Sequence, residues 1–84
     1  MATQQQIEAA WGKASTIRGK NPNLFRRDTY GNEIYKPAYG TQGAKGWEVD
    51  HKKPRSKGGT NNPRNLQALQ TLENRKKSNS YPYK

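Results

Sequence analysis

The residues of this chain best suited to chemistry are its one histidine, His51, and the aspartate directly before it, Asp50. A neutral histidine, with an ordinary pKa of about 6.5, takes a proton from water at physiological pH more readily than lysine or aspartate does. Asp50 and the later Asn74 offer hard oxygen atoms, one anionic and one neutral, which suit Mg²⁺ or Mn²⁺. An Asp-His pair by itself is weak evidence, because most such pairs are ordinary surface or hydrogen-bonded residues.

The segment that follows this pair adds a more specific pattern. It reads D-H-K-K-P-R-S-K-G-G-T-N-N-P-R-N-L-Q-A-L and then E-N-R-K-K-S. This resembles the HNH nuclease family, whose pattern runs as Asp-His, a proline, a Gly-Gly loop, Asn-Leu-Gln and a final Asn or His before a basic stretch. The intervals from His51 to Asn65 and from Asn65 to Asn74 are similar to those of the family. The resemblance covers roughly residues 47–78 and is that of a His-Asn-Asn variant.

The resemblance implies an activity and a role for each matching residue. The activity is metal-dependent hydrolysis of DNA phosphodiester bonds, leaving 5′-phosphate and 3′-hydroxyl ends. His51 would be the general base, and Asn65 would orient the loop and the base. Asp50 and Asn74 would hold one divalent ion, Mg²⁺ or Mn²⁺. Without the rest of the pattern, Asn65 would fit a residue that only stabilises a turn. Asn74 would then be taken as a simple surface residue.

The charge of the chain indicates a polyanionic partner. Sixteen lysines and arginines against six acidic residues give a net charge of +10, and no amphipathic basic helix favours a membrane over nucleic acid. Double-stranded DNA is preferred to RNA through the family resemblance alone. For any single cation, a solvated charge is about as common as a phosphate contact. The cations expected to contact phosphates are Arg55, Lys57, Arg75, Lys76 and Lys77.

The N-terminal half is expected to support this site with a helix and a β-hairpin. Thr3 can cap a helix that continues to about residue 14. Residues 15–23 are rich in turn formers and predict a loop. Gly31-Asn32 predicts a tight hairpin turn between the segments LFRRDTY and EIYKPAY, and Pro37 would put the second strand at an edge or end it early. The apolar face of the helix consists of Ile7, Ala10, Trp11 and Ala14.

The C-terminal half predicts the order strand, loop, strand, helix. Apolar and polar residues alternate from Trp47 into His51, a basic and turn-dense loop follows, LQAL forms a short strand, and Thr71 is a plausible helix cap. The expected fold class is therefore a small α+β domain that contains a strand-strand-helix (ββα-metal) motif. We expect residues 1–84 to form one domain, with support in 1–46 and the metal motif in 47–80.

Composition limits how such a domain can be stabilised. Hydrophobic residues make up 29% of the chain and its mean hydropathy is −1.38, so the core must be thin and rely on aromatic side chains. The absence of cysteine predicts no structural zinc of the kind that many relatives bind through cysteine pairs. No apolar run approaches a membrane span, and the polar start MATQQQ lacks the apolar stretch of a signal peptide, so a cytoplasmic location is expected.

Two other functions remain open at this stage. The first is a noncatalytic basic module that binds DNA, and the second is a nuclease toxin or RNase domain. Because no recognition helix or second domain is evident, strong sequence specificity is not expected, and nicking or weakly selective cleavage is easier to reconcile with the size. The expected assembly state is a monomer or a weak homodimer.

Overall fold

The computed structural model describes residues 2–78. Residues 79 and 80, the end of the predicted metal motif and of its helix, lie outside this range. The architecture is α+β, as the sequence predicts, with one three-stranded and one two-stranded sheet. In chain order, the helices and strands are α1 (Gln4–Lys13), β1 (Ser15–Thr16), β2 (Phe25–Arg27), β3 (Glu33–Tyr35), β4 (Trp47–His51), β5 (Leu66–Gln70) and α2 (Thr71–Lys77).

Helix α1 begins where the sequence predicts it. The Thr3 hydroxyl accepts a hydrogen bond from the backbone N–H of Gln6, whose side chain accepts one from the backbone N–H of Thr3, so both form a capping box. On the predicted apolar face, Ala10 and Trp11 are buried. The Trp11 indole also donates to the carbonyl oxygen of Pro22 at 3.1 Å, which satisfies its polar atom inside the core.

The hairpin differs from its prediction in two respects. Residues 15–23 are not entirely loop, because β1 pairs with β2 and makes the antiparallel order β1-β2-β3. The connection between β2 and β3 is also longer than a two-residue turn. Asp28 organises it by accepting hydrogen bonds from the backbone N–H groups of Tyr30 and Asn32 at 2.9 and 2.8 Å, and only Gly31 of the predicted pair adopts positive φ.

Strands β4 and β5 form the second, antiparallel sheet, which carries the predicted site. Its register places Trp47 opposite Gln70 and His51 opposite Leu66. Trp47 is fully buried and lies 5.2 Å from Trp11, between ring centroids. This contact docks α1 against the sheet, so the N-terminal helix fixes the strand that ends at His51.

The N-cap of helix α2 lies one residue before the predicted cap, Thr71. The cap is Gln70, whose side-chain oxygen accepts from the backbone N–H of Glu73 at 2.8 Å. Thr71 is instead the first helical residue and is buried, and its hydroxyl donates to the carbonyl oxygen of Thr41 at 2.7 Å. The last strand therefore passes into α2 without a loop, which sets the helix directly against β4.

Within residues 2–78, neither helix has the length and apolar character that crossing a bilayer requires.

Candidate active site

A cleft of about 490 Å³ lies along β4. It is bounded on one side by Tyr39 and Gly40, and Gly40 donates a backbone hydrogen bond to the carbonyl oxygen of Trp47 at 2.8 Å. Five parts of the chain meet here: the start of α1, the segment of Tyr39 and Gly40, strand β4, the loop between β4 and β5, and helix α2. The polar side chains of its lining include Thr3, Gln6, Glu48, His51, Arg55, Asn61 and Asn74.

His51 lies in this cleft, at the last position of β4. Its side chain is half-buried, and its Nε2 atom lies 2.8 Å from Oδ1 of Asn61. The second ring nitrogen, Nδ1, is therefore the atom left for a reacting water. The predicted base thus combines contact with solvent and a fixed partner on one ring nitrogen.

Asn65 lies outside the cleft lining and fastens the loop that follows His51. Its side-chain oxygen accepts from the backbone N–H of Lys53 at 2.8 Å. Its side-chain nitrogen donates to the carbonyl oxygens of Lys53 and Thr60 at 3.0 and 2.8 Å. These three bonds close the loop between its ends, the kind of role that the family resemblance implies for this asparagine.

The Gly-Gly pair allows the same loop to close. Gly58 has a φ of 91°, which residues with a side chain rarely adopt. At Gly59, a Cβ atom would lie 1.7 Å from the carbonyl oxygen of Lys53. The two glycines therefore serve the backbone path of the loop, by positive φ at one and by close approach at the other.

Asp50 is placed differently from His51, because neighbouring residues of a strand point to opposite faces. It is buried, with 7% of its surface exposed. Its Oδ2 accepts from the side-chain nitrogen of Gln67 at 2.8 Å, and its Oδ1 lies 3.4 Å from the Lys77 ammonium. Both carboxylate oxygens are thus engaged within the protein.

The placement of Lys77 corrects the expectation that it contacts phosphates at the surface. Only 2% of its surface is exposed, and besides Asp50 its ammonium donates to the carbonyl oxygen of His51 at 3.0 Å. The cause is its position three residues after Asn74, on the same helix face, which turns it toward β4. Lys77 therefore ties α2 to the end of β4 that carries His51.

Glu48 is the functional candidate that the sequence interpretation missed. Its Oε1 accepts from the side-chain nitrogen of Asn74 at 2.9 Å, and both side chains line the cleft. The signal was present in the strand period, since Glu48 is two residues before Asp50 and so on the same face of β4. Burial, and then the nearby Glu48 carboxylate, raise the pKa of the Tyr39 phenol.

The donor atoms on this face of β4 fit a hard divalent cation. Within residues 2–78 there is no group of three or more His, Cys, Asp or Glu side chains that could hold a metal. There is instead the Glu48 carboxylate bonded to the amide of Asn74, while Asp50 is buried with its two oxygens engaged by Gln67 and Lys77. A sparse set of oxygen ligands suits Mg²⁺ or Mn²⁺, which usually keep several waters. Glu48 and Asn74 are the donors that face the cleft directly.

The remaining predicted nucleic-acid contacts lie at the surface. Arg55, Lys57, Arg75 and Lys76 are all exposed, and Arg55 also lines the cleft. Three further exposed cations near the site, which the sequence interpretation did not select, are Lys52, Lys53 and Arg64.

Comparison with known families agrees with this geometry. The family model described as HNH endonuclease matches residues 39–80, which is half of the chain and includes every predicted site residue. The chain therefore belongs to the HNH endonuclease family, a family of nucleases, and the predicted resemblance is confirmed. No curated protein and no solved structure gave a significant match.

Proposed function

We propose that this protein is a metal-dependent endonuclease that hydrolyses phosphodiester bonds of double-stranded DNA. The observation that carries the proposal is the meeting of His51, Glu48 and Asn74 in one cleft, beside exposed cations. Phosphodiester hydrolysis needs an activated water, neutralisation of the phosphate and stabilisation of the departing oxygen. The histidine can activate the water. The exposed cations, and a metal ion held by the oxygen donors, would neutralise the phosphate and stabilise the departing oxygen.

His51 acts as the general base. As the O–H bond of a water molecule breaks, its proton passes to the imidazole, and the water oxygen forms a new bond to phosphorus. The bond from phosphorus to the 3′ oxygen breaks, and that oxygen takes a proton from solvent. These steps leave a 5′-phosphate and a 3′-hydroxyl. The base keeps its orientation because Asn65 closes the loop behind it and Asn61 contacts its ring.

Asp50 and Asn74 would hold the metal ion, Mg²⁺ or Mn²⁺, with Glu48 as a third oxygen donor. When bound, the ion supplies positive charge that polarises the scissile phosphate and stabilises the leaving oxygen. The protein prepares this site by packing α2 on β4, which brings Asn74 to Glu48 and Lys77 to Asp50. Because Gln67 and Lys77 engage both Asp50 oxygens, Asp50 would have to exchange Lys77 for the ion to become a ligand.

The surface cations bind the DNA backbone. Phosphate contacts supply affinity and position the duplex but carry no sequence information. Because residues 2–78 contain no recognition helix beyond the two short helices described, cleavage is expected to be weakly selective or to nick one strand. The proposal also includes the division of the chain into support (1–46) and metal motif (47–80). We further expect no structural zinc and a monomer or weak homodimer.

The testing experiment is cleavage of supercoiled plasmid with Mg²⁺, Mn²⁺ or EDTA, comparing wild type with His51→Ala. A matched control is Gln42→Ala at an exposed position. Conversion of plasmid by wild type and control, lost with EDTA and in His51→Ala, supports the proposal. If wild type and His51→Ala bind the plasmid equally and neither cuts it, the protein is a noncatalytic DNA-binding module. Cleavage of an RNA of the same sequence in preference to the DNA would indicate an RNase instead.

A further inference from the structure

We infer that Asn61 is a positioning residue that fixes the hydrogen of neutral His51 on Nε2, so that Nδ1 is the nitrogen that accepts a proton. The catalytic part of this inference rests on the proposed nuclease function. The tautomer itself does not, because it follows from contacts among His51, Asn61 and Arg55. None of the sequence motifs singled out Asn61.

Arg55 determines which way the Asn61 amide is oriented. Oxygen and nitrogen of an asparagine side chain are distinguished by their hydrogen-bond partners. Nη1 of Arg55 donates to Oδ1 of Asn61 at 3.1 Å. A guanidinium has donors and no acceptor, so the amide atom that faces Arg55 must be the oxygen.

The second step concerns the imidazole. The same Oδ1 of Asn61 lies 2.8 Å from Nε2 of His51. Because an amide oxygen can only accept, Nε2 must donate and must carry a hydrogen. In a neutral imidazole one nitrogen is the donor and the other has the lone pair, so Nδ1 is free to take a proton. Arg55 therefore sets the tautomer of His51 through a residue between them.

Hydrogen bonds of its two neighbours hold Asn61 in position. The residue before it, Thr60, has its carbonyl oxygen bound by the Asn65 side chain at 2.8 Å. The residue after it, Asn62, caps a short helical turn by accepting from the backbone N–H of Arg64 at 2.9 Å. Asn61 is thus held between two anchored neighbours. Loss of a hydrogen-bond partner that orients a metal ligand typically costs about 10 to 100-fold in affinity or activity, and we expect a loss of the same order for the partner of this histidine.

The uniqueness of His51 makes the tautomer directly measurable. With one histidine in the chain, a long-range ¹H–¹⁵N spectrum of the ¹⁵N-labelled protein contains a single imidazole pattern. At about pH 8.5, where histidine is ordinarily neutral, wild type should show the nitrogen chemical shifts of an imidazole with its hydrogen on Nε2 alone. Asn61→Ala should move these shifts toward those of two exchanging tautomers, whereas Asn61→Asp, which keeps an acceptor oxygen, should retain the wild-type pattern. Ser56→Ala, at an exposed position in the same loop, serves as the matched control.

The kinetic measurement is the single-turnover rate of plasmid cleavage at saturating protein. Asn61→Ala should lower this rate by roughly 10 to 100-fold at unchanged DNA affinity, and Asn61→Asp should recover most of it. Hydrogen on Nδ1 in wild type, or a tautomer pattern and rate unaffected by Asn61→Ala, would overturn the inference. An inactive wild type with hydrogen on Nε2 alone, and with two exchanging tautomers in Asn61→Ala, would refute the proposed function and still support the assignment of the tautomer to Asn61.

Discussion

The ammonium nitrogen of Lys77 lies 3.4 Å from the carboxylate of Asp50, and 2% and 8% of the two side chains are exposed. The same ammonium donates to the carbonyl oxygen of His51. A buried charge that loses its partner remains without compensation, which typically costs about 3 to 5 kcal/mol. This pair therefore holds α2 against β4, and its loss would destabilise the fold next to His51, the proposed base.

Removing the charge of Lys77 should destabilise the fold strongly. We expect Lys77→Met to lower the free energy of unfolding by about 3 kcal/mol or more, because Asp50 then stays buried and unpaired. Lys76→Met, the exposed neighbour, should change it by less than about 0.5 kcal/mol. Urea denaturation measures both. The double variant Lys77→Met with Asp50→Asn should recover part of the loss, and equal stability of Lys77→Met and Lys76→Met would contradict the role assigned to the pair.

Replacing Glu48 should weaken metal binding. Glu48→Gln removes the one carboxylate charge that lines the cleft, and loss of even an orienting partner typically costs 10 to 100-fold in metal affinity. We therefore expect at least about a tenfold weaker affinity for Mn²⁺, measured by calorimetry without DNA. Glu33→Gln is the distant carboxylate control and should leave the affinity unchanged. An unchanged affinity in Glu48→Gln would leave Asp50 and Asn74 as the ligands without it.

A methyl group at Gly59 should open the loop that follows His51. The added Cβ would meet the carbonyl oxygen of Lys53 at 1.7 Å, which no small adjustment can relieve. We expect Gly59→Ala to abolish plasmid cleavage and to lower stability by more than about 1 kcal/mol. Gly43→Ala, whose Cβ would meet its nearest neighbour at 3.9 Å, is the matched control and should cleave normally. Normal cleavage by Gly59→Ala would show that loop closure is dispensable.

The exposed cations of α2 should determine how strongly salt weakens DNA binding. Each phosphate contact contributes about 0.9 to the slope of log affinity against log salt concentration. In an inactive His51→Ala background, Arg75→Gln with Lys76→Gln should reduce that slope by about 2. Lys20→Gln should not, since Lys20 is paired with Glu33 at 2.6 Å. Equal slopes in all three proteins would place the DNA elsewhere.

Acid should remove a contribution to stability from Glu33. Hydrogen bonds from Lys20 and Lys45 lower the pKa of this carboxyl to about 2. Since the folded pKa is below the unfolded one, the contribution is complete above about pH 4.5 and is lost as pH falls through about 2. The difference in unfolding free energy between wild type and Glu33→Gln should therefore shrink over that range. Thermal melts from pH 6 to pH 2 measure it, and a constant difference would contradict the ion pairs.

The parts of this fold that the sequence predicted are those with a strong local pattern. The capping box at Thr3 and the alternation into His51 each depend on residues within one turn or one strand. Strand β1 has two residues, and its pairing with β2 is a long-range contact without a local signal. The cap of α2 was assigned to Thr71 because threonine prefers that position, whereas tertiary contacts with Thr41 hold its hydroxyl.

The site was predicted in its residue types more fully than in its geometry. The motif led to His51, Asn65 and Asn74, and the structure places each on the element expected for it. It could not show that Asp50 is paired with a buried lysine, because that contact joins residues from two elements. The contact of Asn61 with His51 could not be predicted either, since it depends on a loop that Asn65 folds back.

The contact between the two tryptophans also provides an optical reporter. Trp11 and Trp47 are the only tryptophans of the chain, and their rings touch where α1 meets the strand that ends in the base. Tryptophan emission therefore comes entirely from this junction. A shift of that emission to longer wavelength on heating would report separation of α1 from β4 without any added label.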